Sequence, residues 1–416
     1  MVTLLIIAGA AFAGRAVYIL TVTRYEHGFY DHVYYEGQAA LLGDGHGFTS
    51  PPFFGRPGAP DALHPPLTGL TLAPVAWATG DSTLAEQLAV ALAGVGVVAL
   101  VGLIGREVAG PRAGLLAAGI AAVYPNLWMN DGLVMSETFA ALGTAATVFC
   151  TYRLIRQPSW RNAAGTGVAC ALAMLSRSEL ALLVPIVVVP AALTIRGLAR
   201  ERRLLLAGAA VVAALVVVAP WVTFNLARFD HTVLLASGDT GVLLGANCDQ
   251  TYSGPLIGSW YGLCTFREFR DHRGGRASHP GTRGQALDYV GGHLDRLPAV
   301  VAARLGREWS VYHVFSMAHD STQEGRPYWA SIAGWACYLV ALGLALPGAL
   351  LLRRRRVPLV PILGPLLVVT VSAALFYGLV RFRTPAEVSL VVLAAVTVDR
   401  LLASRRGEPS RAVPAP

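Results

Sequence analysis

The feature that most constrains this chain is a series of apolar runs separated by short polar turns. They cover roughly 2–22, 84–104, 113–127, 132–152, 163–176, 178–195, 204–222, 328–352, 357–378 and 386–403. A helix needs about twenty apolar residues to cross the hydrocarbon of a bilayer, and there it must satisfy its own backbone hydrogen bonds. The runs therefore predict an all-α, polytopic integral membrane protein with about ten transmembrane helices. Composition agrees, with 54% of residues hydrophobic and 14% charged. A net charge of +8 raises nucleic acid as a partner. The pattern argues against it, because the basic residues cluster in short loops between apolar runs, where they orient a membrane protein. All of those residues are arginine, as codon bias in a high-GC bacterial genome would give.

Arginine sets the expected topology. Arg106 and Arg112, then Arg153, Arg156 and Arg161, then Arg196, Arg200, Arg202 and Arg203, then Arg353 to Arg356 fall in alternate turns, and so on one face. The positive-inside rule makes that face cytoplasmic, and with it both termini and Arg405, Arg406 and Arg411. The stretch 67–79 contains Pro74 and is too short to span, so it reads as a juxtamembrane or re-entrant piece of an outer loop. Two large extracytoplasmic loops follow, 23–83 and 223–327, and the ten Arg of the second do not oppose this, because long loops escape the rule. The organisation expected is an N-terminal transmembrane module over 1–222, an extracytoplasmic insertion over 223–327 with Gly-rich turns at 238–262 and 273–284, C-terminal helices over 328–404, and a disordered cytoplasmic tail over 405–416. The apolar N-terminus lacks a small-residue cleavage site and reads as a retained helix.

Cys150, Cys170 and Cys337 lie in apolar stretches and read as small buried hydrophobes. Cys248 and Cys264 share a polar segment, where a disulfide and two free thiols stand equal. No metal-binding motif and no internal repeat is visible, and the missing inverted symmetry disfavours a secondary transporter.

Residues suited to chemistry gather on the predicted outer face. Asp31 follows the first helix by about eight residues and opens an interfacial helical pattern over 31–42. A partly desolvated carboxylate there suits a general base for a hydroxyl, and equally a helix N-cap. In PNLWMNDGLVMSE, Asp131 is a candidate for chemistry and equally a cap for the next helix, whereas Glu137 lies inside an apolar segment, where an ionisable group is a functional hypothesis. Arg177 and Glu179 mark another outer turn and read first as an ion pair. Arg381 and Arg383 flank Phe382 in the last outer turn, where guanidinium forks suit a phosphate or a lipid headgroup. Arg15, in the outer third of the first run, can snorkel or meet a carboxylate such as Asp31. His64, in ALHPPL, reads as structural or as a phosphate or metal contact.

At these residues the chain resembles the polyprenyl-phosphate-sugar-dependent glycosyltransferases of the GT-C fold, a superfamily that includes protein O-mannosyltransferases and the lipid A aminoarabinose transferase. The resemblance rests on Arg15 with Asp31, Tyr35 and Gly47-Phe48, His64-Pro65-Pro66-Leu67, GREVAGPRAG at 105–114, Asn130-Asp131 through Ser136-Glu137, Ser176-Arg177-Ser178-Glu179, LLGANCDQTYSGPLIG at 243–258, and Arg381-Phe382-Arg383 with Pro385-Ala386-Glu387. It implies a lipid-linked donor in a bacterial plasma membrane, with glycan, lipid or protein as acceptor. It implies Asp31 as the catalytic base, and Arg381 and Arg383, with Arg177, as cations for the leaving phosphate. Asp131 and Glu137 then orient the acceptor, bind sugar or hold a divalent metal. The pattern departs from the protein O-mannosyltransferases at residue 32, where His32 follows Asp31 in place of a second acid. The rival classes are a lipid-linked saccharide flippase, which calls for polar residues through the membrane midplane, and a non-catalytic envelope scaffold, which tolerates loss of Asp31.

Overall fold

A computed structural model describes residues 2–25, 31–265 and 280–406. The Gly-rich stretch at 273–279 and the tail from 407 onward, with Arg411, lie outside the described residues. Among those described the chain is helical, without strands, apart from one isolated bridge between Thr49 and Pro60.

In chain order the helices are α1 (Val2–Tyr18), α2 (Asp31–Gly43), α3 (Leu67–Thr79), α4 (Thr83–Ala109), α5 (Pro111–Val123), α6 (Pro125–Asp131), α7 (Glu137–Arg156), α8 (Trp160–Ser176), α9 (Val189–Leu193), α10 (Arg200–Arg228), α11 (Asp239–Ala246), α12 (Asp249–Tyr252), α13 (Pro280–Gly292), α14 (Leu297–Glu308), α15 (Val314–Asp320), α16 (Tyr328–Arg354), α17 (Val360–Leu375) and α18 (Thr384–Arg405). Each predicted apolar run overlaps helix, although 132–136 and 376–378 are not helical and the run 113–127 is broken at Tyr124. Among the described residues five pieces, Val2–Thr23, α4, α7, α10 and α16, are long and apolar enough to cross a membrane. The run at 178–195 departs from simple α-helix: Pro185 and Pro190 remove two backbone donors, and the segment passes through a 3-10 turn (Ser178–Leu182) and a π turn (Val184–Val188) before α9.

Local chemistry sets the boundaries that matter. Ser82 caps α4 by accepting a hydrogen bond from the Ala85 amide. At the other end Gly110 adopts φ 97°, which only glycine takes readily, and Pro111 then opens α5 from its first turn, so GREVAGPRAG is a tight hairpin of two helices. At α3, 13 residues rise about 20 Å, short of the roughly 30 Å core of a bilayer. It packs on α2 and α4.

The centre of the bundle is α18. Every residue from Thr384 to Thr397 is buried, as a segment apolar on nearly all sides (PAEVSLVVLAAV) requires, with its one acid, Glu387, paired to Arg383. Around it stand α16, α5, α7, α4 and α17. Two ends of this bundle are chemically different. At one, Arg112 of α5 pairs with Asp399 of α18 at 2.5 Å, and Arg156 of α7 with Glu107 of α4 at 3.0 Å. At the other lie α2, α6, the first turns of α7 and α18, and the long segment after α10.

That segment is built from short helices tied down by arginine. Arg304 donates to the carbonyls of Ala246 and Ala374 and to Asn247 Oδ1, and Arg307 to the carbonyls of Ile257 and Pro255. Carbonyls without helical partners are thereby satisfied in a buried rim. Cys248 and Cys264 form a disulfide, so of the two readings left open by sequence the bridge is the one realised.

Candidate active site

Asp31 is the first residue of α2, and its side chain is 25% exposed. It reaches across the end of the bundle to Arg381, with Oδ2 2.7 Å from Nη2. On its other side Oδ1 lies 3.6 Å from Nε2 of His64. Burial alone would raise the Asp31 pKa, but Arg381 and His64 hold the carboxyl well below the usual carboxylate range. His64 is itself fixed by aromatic packing, tilted over Tyr35 at 5.1 Å and edge-on to Tyr34 at 4.9 Å. The Tyr34 hydroxyl donates to Asp61 at 2.5 Å, and Arg228 at the end of α10 donates to the carbonyls of Phe48 and Asp61. The first outer loop is thus anchored to α10, and α2 with it.

Arg381 is the hub. It lies in a 3-10 turn (Val380–Arg383) just before α18, and three carboxylates surround it: Asp31, Glu137 with Oε1 3.3 Å from Nη1, and Glu324 with Oε1 3.5 Å from Nε. Burial opposes its charge, but Glu324, Asp31 and Glu137 hold its pKa well above the ordinary value. Glu137, the first residue of α7 and 1% exposed, also accepts from Arg177 at 3.2 Å. Arg177 in turn bonds Glu179 at 2.5 Å, the ion pair expected from sequence. The Phe382 ring packs between the two guanidiniums, 4.2 Å from Arg177 and 5.1 Å from Arg381. Asp31, His64, Glu137, Arg177 and Arg381 therefore converge from α2, the loop before α3, α7, the end of α8 and the start of α18.

Three expected members stand elsewhere. Arg383 turns inward and is fully buried, bonding Glu387 at 2.7 Å, the Glu308 carbonyl and Ser310 Oγ at 2.8 Å each, and covering the Tyr338 ring at 3.6 Å. The reason is the turn type: a 3-10 helix rotates about 120° per residue, so positions two apart diverge instead of forming one fork. Arg15 meets Asp131 and not Asp31, at 2.5 Å, with both side chains almost fully buried. Thr138 donates to the second Asp131 oxygen at 2.6 Å. Gly94 of α4 leaves room for that carboxylate, since a Cβ there would sit 2.0 Å from Oδ2. Asp131 is therefore the partner of α1 and no cap for α7. Asp131 and Glu137 are taken up by different arginines, and no cluster of three or more His, Cys, Asp or Glu able to hold a metal forms among the described residues. The donor set does not fit the divalent metal considered from sequence.

Among the charged residues at this end that were not singled out from sequence are Glu324 and Arg326. They lie in EGRPYW, a charged dipeptide around Gly325 immediately before the apolar run of α16, which was the only signal. Arg326 is 4% exposed.

Residues 63–224 match the family described as dolichyl-phosphate-mannose-protein mannosyltransferase. The matched segment contains His64, Asp131, Glu137 and Arg177 and stops short of Asp31 and Arg381. No curated protein sequence matches. Among solved structures, the fold is similar to the archaeal oligosaccharyltransferase AglB from Archaeoglobus fulgidus in complex with an inhibitory peptide and a dolichol-phosphate, at TM-score 0.54 and 13% identity over 99% of this chain and 52% of that chain. The apo form of the Archaeoglobus fulgidus oligosaccharyltransferase gives TM-score 0.58 and 14% identity over 99% and 52%. ArnT from Cupriavidus metallidurans bound to undecaprenyl phosphate gives TM-score 0.47 and 17% identity over 95% and 78%. The chain spans about half the length of the oligosaccharyltransferase chains it matches. The protein is an all-helical membrane protein of the GT-C fold, similar over residues 63–224 to the dolichyl-phosphate-mannose-protein mannosyltransferases.

Proposed function

We propose that the protein transfers a sugar from a polyprenyl-phosphate donor to an acceptor hydroxyl, at the outer face of a bacterial plasma membrane crossed by about ten helices. The observation that carries this reading is the meeting of Asp31 and Arg381 at 2.7 Å, from positions far apart in sequence, at one end of the bundle. A rim where a partly exposed carboxylate and a buried guanidinium lie side by side can serve both ends of a displacement at carbon.

In this reading the acceptor oxygen attacks the anomeric carbon while Asp31 takes its proton. The bond from that carbon to the phosphate oxygen breaks, and its electron pair leaves with the lipid phosphate, whose charge goes from one negative to two. A single displacement of this kind inverts the anomeric centre. Arg381, fixed by its acidic neighbours, faces that growing charge, and Arg177 supports it through Glu137 and Phe382. His64 holds Asp31 from its other side. The Cys248–Cys264 bridge supports an oxidising compartment for the segment after α10. The arginine-rich turns gather at the far ends of α7 and α18, as the positive-inside rule asks of a site facing outward.

The test is purified protein in lipid nanodiscs given a panel of radiolabelled polyprenyl-phosphate sugars with candidate acceptors, scored for release of the polyprenyl monophosphate. Transfer by wild type that is lost in Asp31→Asn, at unchanged thermal stability, is the expected result. Wild-type rates from Asp31→Asn would overturn the assignment of the base, and reporter fusions placing 31 and 381 inside the cell would overturn the outward-facing site.

A further inference from the structure

Between the end of α17 and the turn that carries Arg381, the chain runs over 376–379 outside any helix. Backbone donors there must find partners elsewhere, and those partners set the path of the chain. The Gly378 amide donates to the Gly258 carbonyl at 3.1 Å, and the Leu379 amide to Glu308 Oε2 at 3.2 Å. Gly258 and Gly378 close on the same point of α14: a Cβ on Gly258 would stand 2.6 Å from the Arg304 nitrogen, and one on Gly378 would overlap the Arg304 oxygen. Gly258 also takes φ 76°, a left-handed backbone that glycine supplies.

Side chains make a second connection. Trp260 lies tilted against Tyr377, ring centroids 6.4 Å apart, and Tyr377 stands edge-on to Phe382 at 5.1 Å. Phe382 is the ring between Arg177 and Arg381. Trp260 is seated from behind, its indole N–H donating to the Gly241 carbonyl, and a Cβ on Gly245 of α11 would overlap it. Gly258 and Trp260 both belong to the loop closed by Cys248 and Cys264, and within it Arg307 holds the carbonyls of Pro255 and Ile257. Both cysteines are partly exposed, within reach of a reductant.

We infer that this cross-linked loop is the brace that sets where Arg381 points, with Gly258 and Trp260 as positioning residues, so that opening the bridge loosens the guanidinium from Asp31. For its effect on turnover the inference rests on the transferase reading above, and it goes beyond that reading by tying the site to a covalent link distant in sequence. The bridge acts at one remove. It keeps closed a loop whose backbone contact and aromatic contact both end on the approach to Arg381. Once opened, the loop regains chain freedom, and the Gly378 amide and the Tyr377 ring lose a fixed partner. Glu308 still holds Leu379, so the turn loosens without detaching.

The experiment takes full-length protein in nanodiscs before and after reduction by a water-soluble phosphine, and as Trp260→Ala and Trp260→Phe with the bridge intact. Hydrogen exchange is read over 376–383, and sugar transfer is followed against pH. Reduction and Trp260→Ala are expected to speed exchange of the Gly378 amide roughly tenfold or more, with α7 and α18 as slow as before. Turnover should fall by roughly ten- to a hundredfold. The acid limb of kcat/KM should move to higher pH, because Asp31 keeps His64 but loses part of Arg381, which Glu137 and Glu324 still face. Trp260→Phe keeps a ring against Tyr377 and should restore most of both. Unchanged exchange over 376–383, or exchange that rises equally throughout the bundle, overturns the brace. So does a lowered rate with an unmoved acid limb, or a lowered melting temperature at wild-type turnover, which would make the bridge a staple for folding. Because Trp260→Ala can fail to fold, reduction of protein already folded carries the same test. If wild type transfers no sugar from any donor, the transferase reading falls, and exchange alone still decides whether the loop holds the turn.

Discussion

Arg381 and Arg383 are two residues apart and belong to opposite kinds of place. Around Arg383 the partners close in: Glu387, a backbone carbonyl, a serine hydroxyl and a tyrosine ring enclose it, with Nη2 left without a hydrogen bond, and Glu387 is completed by the Tyr124 hydroxyl at 2.6 Å and Asn126 at 3.1 Å. Around Arg381 there are three acids at uneven distances, one of them a carboxylate one quarter exposed. A closed set of buried charges fixes packing, because removing any member strands another. An open set keeps hydrogen-bonding capacity in hand for something that arrives and leaves. The pair of neighbouring arginines thus separates what holds the bundle together from what can work.

The largest expected effect is in the open set. Asp31→Asn should lower turnover by roughly 10²–10⁴-fold with no change in melting temperature, read by steady-state transfer and thermal unfolding in the same nanodiscs. A matching fall in stability would place Asp31 with the closed set. Next comes the closed set itself. Glu387→Gln leaves Arg383 buried beside a neutral group and should cost about 3–5 kcal/mol of stability, visible as a large drop in melting temperature or in the yield of monodisperse protein. Full stability in that variant would erase the contrast.

A subtler difference concerns pH. In the free protein Asp31 is held low, so it stays ionised as pH falls through the usual carboxylate range, and the acid limb of kcat/KM should lie below that range. Burial is the opposing influence, and Arg381 is the main partner that overcomes it. The residual activity of Arg381→Gln should therefore show its acid limb at higher pH. An unmoved limb would detach the limb from Asp31.

The smallest effect belongs to Glu308, buried beside the closed set, where burial raises its pKa to about 8 against the partial opposition of Arg383. Below about 8 the side chain is neutral, and Glu308→Gln keeps both its shape and an acceptor for the Leu379 amide. Above that pH wild type carries a buried charge that the variant lacks. The variant should gain on wild type steadily as pH rises from about 4.5, where the unfolded carboxyl ionises, to about 8, and the gap should level off above 8. A constant difference from pH 6 to 9 would contradict this.

Much of the framework was legible in the chain, because apolar length and arginine-bearing turns leave few choices once the solvent is lipid. Asp31, Glu137, Arg177 and Arg381 were legible as charges near predicted outer helix ends. Their partners were not. Whether Arg15 meets Asp31 or Asp131 depends on a gap left by Gly94 on another helix, which no local pattern reports. Whether Arg381 and Arg383 share a direction depends on a 3-10 turn where alternation was assumed. Arg326 went unnoticed because a charge in a polar loop reads as solvated, whereas here α15 and α16 close over it.

The contact between Asp31 and Arg381 has a kinetic corollary. Each restrains the other through one oxygen and one nitrogen: Asp31 Oδ2 faces Arg381 Nη2, while Nη1 and Nε turn to Glu137 and Glu324. On the function proposed above, an incoming lipid anion would bid for Arg381, and only as that grip loosened would Asp31 recover affinity for a proton. An alcohol that comes early, water included, meets a sleeping base. Such an arrangement imposes an order of arrival, lipid before acceptor, and guards a costly activated sugar from being wasted on solvent.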